Sequence, residues 1–168
     1  QDPVAGAVPL IYPAHCRGDF VEWPVEGRKP NAILDNEESH RWLMPNGYYT
    51  VVKRFSAKEE KRRVSACVHD PKRVKAESIG FENHLNIFHE NKKGLPAALA
   101  KGLAVYLNSS LVDAYFRQFN GHTQVNATDL RKLPYPAHAA LEAMGNALPH
   151  PGVSQEAIDQ LVEHHLHG

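Results

Sequence analysis

Long apolar runs are missing from this sequence. The nearest candidate, "VAGAVPLIYP" close to the start, has no basic flank and is broken by prolines, so it reads as neither a signal peptide nor a membrane span. Cysteine is scarce: Cys16 and Cys67 lie far apart and match no metal or redox spacing, which makes a reducing, cytoplasmic setting the simplest reading. Net charge is absent as well. Nineteen basic residues balance nineteen acidic ones, a balance that by itself argues against a nucleic-acid partner, because such domains usually carry excess positive charge. There is no Gly-rich phosphate loop, no G-x-S-x-G elbow, no H-E-x-x-H and no paired CxxC, so the common signatures of nucleotide hydrolysis, serine acyl transfer and zinc chemistry are missing.

What is present begins with an uneven distribution of charge. Between Lys53 and Lys75 stand nine basic residues (Lys53, Arg54, Lys58, Lys61, Arg62, Arg63, Lys72, Arg73, Lys75) and three acidic ones (Glu59, Glu60, Asp70). Such a segment is either a solvated face or an edge that holds phosphates, and its concentration on a neutral chain favours the second. The length of 168 residues suits one domain with a real core. The chain starts at Gln1 and is expected to be a piece of a longer polypeptide.

The first 47 residues are rich in Pro and Gly and predict short strands and loops, with one helical turn near "NEESHRWL". The β-branched and aromatic runs "GYYTVVKRFS" and "RRVSACVHDP" predict an antiparallel hairpin with a basic end, and "SIGFENHLNIFHE" a third strand. After Gly94 the apolar residues of "LPAALAKGLAVYLNSSLVDAYFRQF" recur at helical spacing, with Pro96 suited to a first turn and "NSS" as a break and recap. "LPYP" is expected to end regular structure. A linker, "NALPHPG", and a short amphipathic helix, "QEAIDQLVEHHL", follow. The expected fold is α+β, a small, mostly antiparallel sheet packed on one or two helices. Residues 1–145 form the domain, and 146–168 the linker and terminal helix.

One stretch concentrates hydrogen-bonding side chains: "FNGHTQVNATDLRKLPYP", residues 119–136. Its bland reading is a structured connection in which Asn126 or Thr128 caps a short helical turn and Gly121 permits a positive φ. Its functional reading is a base-reading loop, since amides bond bidentately to an adenine edge and a Thr methyl meets a thymine methyl. Arg117 and Gln118 beside it either cap carbonyls or face a ligand. Eleven histidines also invite a metal site built on His84, His89, His122 and Asp129, but His84 and His89 fall on opposite faces of a strand, and a catalytic metal needs three converging protein ligands.

The strings "RFSAKEEKRR", "IGFENHLNIFH" and "GLAVYLNSSLVDAYFRQFNGHTQVNATDLRKLPYP" together resemble the C-terminal part of N6-adenine DNA methyltransferases of type II restriction-modification systems, over roughly residues 7–136. The helix followed by a Gly-x-x-Gln loop and an "LxxLPxP" exit is similar, more loosely, to target recognition domains of type I specificity subunits. The resemblance implies a DNA target recognition domain whose partners are double-stranded DNA and an N-terminal methyltransferase catalytic domain. The (N/D)PP(Y/F) motif and the Gly-containing S-adenosylmethionine motif of that catalytic domain do not occur here, so no cofactor is expected in this chain and none of its residues is expected to be catalytic.

On this reading His122, Thr123, Gln124 and Asn126 contact bases or a groove, with Asn83 and His84 as a second group and Arg117, Asn120 and Arg131 alongside. Lys53, Arg54, Lys61, Arg62 and Arg63 hold phosphates, and Asp129 orients the loop through Arg131. The alternative within the same reading makes "GHTQVNATDL" scaffold and gives base reading to residues 18–47 and 70–78. Two other functions compete: a metal-dependent hydrolase or nuclease using His84, His122 and Asp129, and a protein-docking module using the terminal helix and the Pro-rich start.

Overall fold

A computed structural model describes residues 6–27, 29–148 and 152–167. In chain order the strands are β1 (Ala7–Ile11), β2 (Cys16–Arg17), β3 (Phe20–Val21) and β4 (Ala32–Leu34), followed by a helical turn α1 (Glu37–His40) and by β5 (Met44–Pro45), β6 (Tyr49–Lys53), β7 (Ala66–His69), β8 (Ser78–Phe81) and β9 (Leu85–Phe88). Five helices complete the chain: α2 (Ala97–Leu107), α3 (Ser110–Phe119), α4 (Ala127–Arg131), α5 (His138–Ala147) and α6 (Gln155–His167). The fold is α+β as expected, with two sheets in place of one. A four-stranded sheet has the order β4-β1-β8-β5 and a five-stranded sheet the order β2-β3-β7-β6-β9, antiparallel except where β1 meets β8 and β3 meets β7.

The hairpin forms as its alternation predicts, with β6 and β7 paired from Tyr49 opposite His69 to Val52 opposite Ala66. Period-two geometry then sorts its side chains between two cores. Val52, Ala66 and Val68 face the helices, whereas Tyr49, Val51 and Cys67 face a smaller core shared with Ile11 and Ile79. Thr50, fully buried, is satisfied by donating its hydroxyl to the Ala100 carbonyl at 2.8 Å.

Three expectations need correction. The single strand over "SIGFENHLNIFHE" is two strands in different sheets, because the chain turns between them where the Leu85 N–H donates to the Glu82 carbonyl. His84 lies in that turn and not in a strand. Cys16 and Cys67, 51 residues apart, are joined by a disulfide with Cα atoms 6.0 Å apart. Their strands are brought together through β3, which pairs with both β2 and β7. The reducing setting read from their sequence separation therefore does not follow.

The third correction concerns "LPYP", after which regular structure continues as α5. This helix packs directly on α2, and the crossing is so close that a Cβ on Gly102 would lie 1.7 Å from the Leu141 carbonyl oxygen, and one on Gly145 2.0 Å from that of Ala98. The expected break between α2 and α3 is present: the Ser109 hydroxyl accepts the Val112 N–H, and the Asn108 amide bonds both the N–H and the carbonyl of Ala66 at 2.8 Å. Asn108 thereby ties the break to β7. Ile158 and Val162 of α6 enter the same core. Residues 149–151 of the expected linker lie outside the described residues. Among those described, no helix is long and apolar enough to cross a membrane.

Two buried histidines give the fold a pH dependence. Burial pushes His69 down to about 4, and burial also lowers His15 against its hydrogen bonds to Asn31 and Tyr12. A group protonated more readily in the unfolded chain withdraws stability as pH falls, so stability is full above about pH 6.5 and declines toward pH 4. Urea titrations at pH 7.5 and 4.5 are expected to differ in this direction, the His69 share reaching roughly 3 kcal/mol by pH 4. His69→Gln should flatten the profile.

Candidate functional site

Beyond Lys53 the chain bends at Arg54, and residues 123–125 lie antiparallel beside residues 54–56 through a bridge at Phe55. The Ser56 N–H donates to the Thr123 carbonyl at 2.9 Å, and the Val125 N–H to the Arg54 carbonyl at 2.6 Å. Phe55 and Gln124 stand opposite each other, and the Asn86 amide donates to the Val125 carbonyl from the β9 side. The polar stretch after α3 is thus held as a short extra strand against the end of β6.

Its fixation starts at Asn120, which ends α3 and is only 6% exposed. The Asn120 amide donates to the Gln124 carbonyl and to Asp129 Oδ2, each at 3.1 Å, while its Oδ1 accepts the His122 N–H at 2.9 Å. Asp129 Oδ2 also accepts the Asn126 N–H, closing the N-terminus of α4. Asp129 therefore orients the loop as expected, but through Asn120 and Asn126 and not through Arg131, which is exposed. Gly121 has no positive φ, since among the described glycines only Gly6, Gly18 and Gly152 do.

Arg63, expected at a phosphate, is 1% exposed. Its Nε donates to the Ser56 hydroxyl at 3.0 Å, its Nη2 to the His122 carbonyl and to Asn120 Oδ1, and its guanidinium lies over the Phe116 ring. It joins the hairpin to the loop from inside. Arg117 is likewise committed to the protein: it donates to Asp113 and to the carbonyls of Lys58 and Glu60, pinning the 57–61 turn against α3. Asn120 and Arg63 are thus buried internal supports, while Arg117 is committed to protein acceptors at an exposed position.

The remaining candidates divide by position. His122 and Thr123 are exposed and Gln124 half-buried, and their side chains make no hydrogen bond among the described residues. Asn83 is exposed at the adjoining turn. His84 bonds Glu82 and packs against Phe55 with the rings tilted by 50° and their centres 5.4 Å apart. Arg54 reaches the Asn83 carbonyl and lies beside the Phe55 ring. Arg131 borders a different groove with Asn86, Phe88 and Tyr135.

Lys53 and Arg62 line a cleft of about 530 Å³ together with Arg17 and Arg73. None of these four cations pairs with a carboxylate within salt-bridge distance among the described residues, although Asp19 and Glu22 share the cleft wall. Arg62 donates to the Asn108 carbonyl and to Gln155, both at 2.9 Å; burial lowers its pKa against the pull of Asp113 and Asp159, and the guanidinium keeps its charge. Lys61 is exposed outside the cleft. Among the described residues no three His, Cys, Asp or Glu side chains converge as metal ligands, and Asp129 is occupied by Asn120 and Asn126.

Sequence reasoning missed Phe55, which is 46% exposed at the centre of this surface, and it missed Arg17; Arg73 stood in the basic segment but was not singled out for a phosphate. Phe55 carries a signal in hindsight: it continues the strand alternation two residues beyond Lys53, past the point where β7 pairs. Arg17 carries none, because only the pairing of β2 with β3 brings it to the cleft.

No protein-family model matches the chain, and no solved structure matches it. Two curated proteins do. The type II methyltransferase M.BsuBI of Bacillus subtilis is 54% identical over 143 residues, which is 85% of this chain and 28% of that protein. The type II methyltransferase M.PstI of Providencia stuartii is 45% identical over 164 residues, 97% of this chain and 32% of that protein. The chain is therefore similar, over most of its length, to one portion of type II methyltransferases, spanning about a third of the length of the relatives it matches.

Proposed function

We propose that this chain is the DNA target recognition portion of an adenine-N6 methyltransferase of a restriction-modification system, acting on double-stranded DNA. S-adenosylmethionine and the target adenine belong, on this reading, to a catalytic portion outside the chain, into which the adenine is extruded. One observation carries the proposal: a loop locked from within by Arg63, Asn120 and Asp129 presents His122, Thr123 and Gln124 outward with no internal hydrogen bonds among the described residues, beside Arg54, Asn83 and His84. Rigid backbone with uncommitted polar tips is what base-edge readout requires. Lys53, Arg54, Lys61 and Arg62, joined by Arg17 and Arg73, supply the phosphate contacts.

The test is duplex binding by the 168-residue chain as a function of salt. The logarithm of the binding constant should fall against the logarithm of salt with a slope of several units, and a slope near zero overturns the proposal. Within that assay Gln124→Ala should reduce discrimination at one base pair by roughly 1 to 3 kcal/mol. Equal weakening on every sequence would remove Gln124 from base reading.

A second role is favoured by α3, whose outer face carries Leu111, Tyr115 and Phe119 at four-residue spacing, 53%, 41% and 38% exposed. This apolar stripe suits packing against the rest of a methyltransferase. The terminal helix, expected to dock, has its apolar face in the chain's own core.

A further inference from the structure

The groove beside Phe55 is not needed to explain base-edge reading, and its lining is of a different kind. Its volume is about 370 Å³, within the range of small-ligand clefts, and Tyr12, Phe55 and His84 supply its aromatic walls while Arg17 and Lys29 stand on its rim. We infer that this groove takes one unstacked nucleobase, laid against the exposed part of the Phe55 ring, with the adjoining phosphate met by Arg17. The inference rests on the DNA-binding reading above and names a subsite of it.

His84 packs on Phe55 at a tilt and the Arg54 guanidinium lies over the ring 5.9 Å from its centre, with the Phe55 backbone fixed by the pairing of Arg54–Ser56 to residues 123–125. A ring propped in this way is poorly suited to wedging deep into a duplex. It is suited to offering one face, and aromatic faces within a cationic groove bind bases with little regard to sequence. Charge supports a nucleotide over an apolar protein segment. Arg17 bonds only the Ala14 carbonyl and has no carboxylate partner among the described residues. Lys29 is partly neutralised by Glu82 at 3.5 Å, and Glu26 also lines the groove, so Arg17 carries the attraction. Arg17 borders both this groove and the basic cleft, so a strand whose base enters here has its backbone led toward Lys53, Arg62 and Arg73.

The experiment compares a fluorescein-labelled single-stranded dT oligonucleotide with an abasic deoxyribose-phosphate strand of the same length, on the 168-residue chain and its variants. The native chain should prefer the base-bearing strand by roughly 5- to 150-fold. Phe55→Ala should erase that preference and leave the salt slope unchanged, because the phosphate contacts survive. Phe55→Trp should keep the preference, and its fluorescence should be quenched by dT and not by the abasic strand. Equal binding of the two strands by the native chain, or an undiminished preference in Phe55→Ala, overturns the inference; salt-dependent duplex binding would then still stand for the target recognition role. Loss of duplex binding with a flat salt dependence would instead sink the wider reading, and the groove with it.

Discussion

Gly102→Ala is expected to lower the stability of the chain by about 3 kcal/mol or more, and the double replacement with Gly145→Ala to lower it further. The reason is steric and lies in the backbone. The added Cβ at position 102 would sit 1.7 Å from the carbonyl oxygen of Leu141, and the neighbouring carbonyl carbon is 2.5 Å away. A flexible side chain could swing aside, but a carbonyl in the middle of α5 moves only if the helix moves. Separating α2 from α5 opens the interface around Leu103, Leu141 and Met144, which are all at least 93% buried. Overpacking of well-filled cores typically costs 1 to 3 kcal/mol and occasionally more, and a backbone clash of this depth belongs at the upper end. Against a total stability of roughly 5 to 15 kcal/mol, one such clash is already a large fraction. The helix-propensity gain of Ala over Gly, at most about 1 kcal/mol per site, does not offset this. Urea midpoints measure the effect, with Gly121→Ala as the control, because a Cβ there meets nothing within 4 Å. A Gly102→Ala midpoint equal to that of the control would mean that α2 and α5 do not cross at this distance.

The same crossing explains what was legible in the sequence and what was not. The β6–β7 hairpin, the α2–α3 break at Asn108–Ser109 and the cap of α4 near Asn126 were all readable, because each is set by local alternation or by a short-range hydrogen bond. Helix α5 was not. Its contact with α2 runs through glycine and alanine, so "HAALEAMGNA" lacks the stripe of large apolar residues by which an amphipathic helix is recognised. The split between β8 and β9 was hidden for another reason: Ile79 and Phe81 before the turn and Leu85 and Ile87 after it join the same smaller core, so the apolar pattern carries no break where the chain changes sheet. At the site, residue types pointed to the right region but not to the division of labour. Asn120 and Gln124 are both amides, yet one is consumed by four internal partners and the other faces outward. Burial decides that, and burial is a property of the assembled chain.

Arg63 is the sharpest case, and its replacement separates two readings of the basic hairpin. If Arg63 held a phosphate, Arg63→Ala would lower the salt slope of DNA binding by about one and leave stability unchanged. The buried geometry gives the opposite expectation: Arg63→Ala should cost about 3 kcal/mol or more in unfolding free energy, while the folded fraction keeps its salt slope. Truncation removes the donors to Ser56 and the His122 carbonyl and the weaker of two to Asn120 Oδ1, and buried acceptors left without partners cost about 1 to 3 kcal/mol each unless water reaches them. It also empties the space over Phe116, itself fully buried. Arg63→Lys should rescue little, because a single ammonium cannot span Ser56 on one side and His122 on the other as the guanidinium fork does. Hydrogen exchange at the amides of residues 122–125 gives the local readout. These should lose protection in Arg63→Ala before the hairpin amides of Val51 and Val52 do, and discrimination among duplex sequences should fall with them. A variant that retains loop protection and stability but loses one unit of salt slope would return Arg63 to the DNA surface.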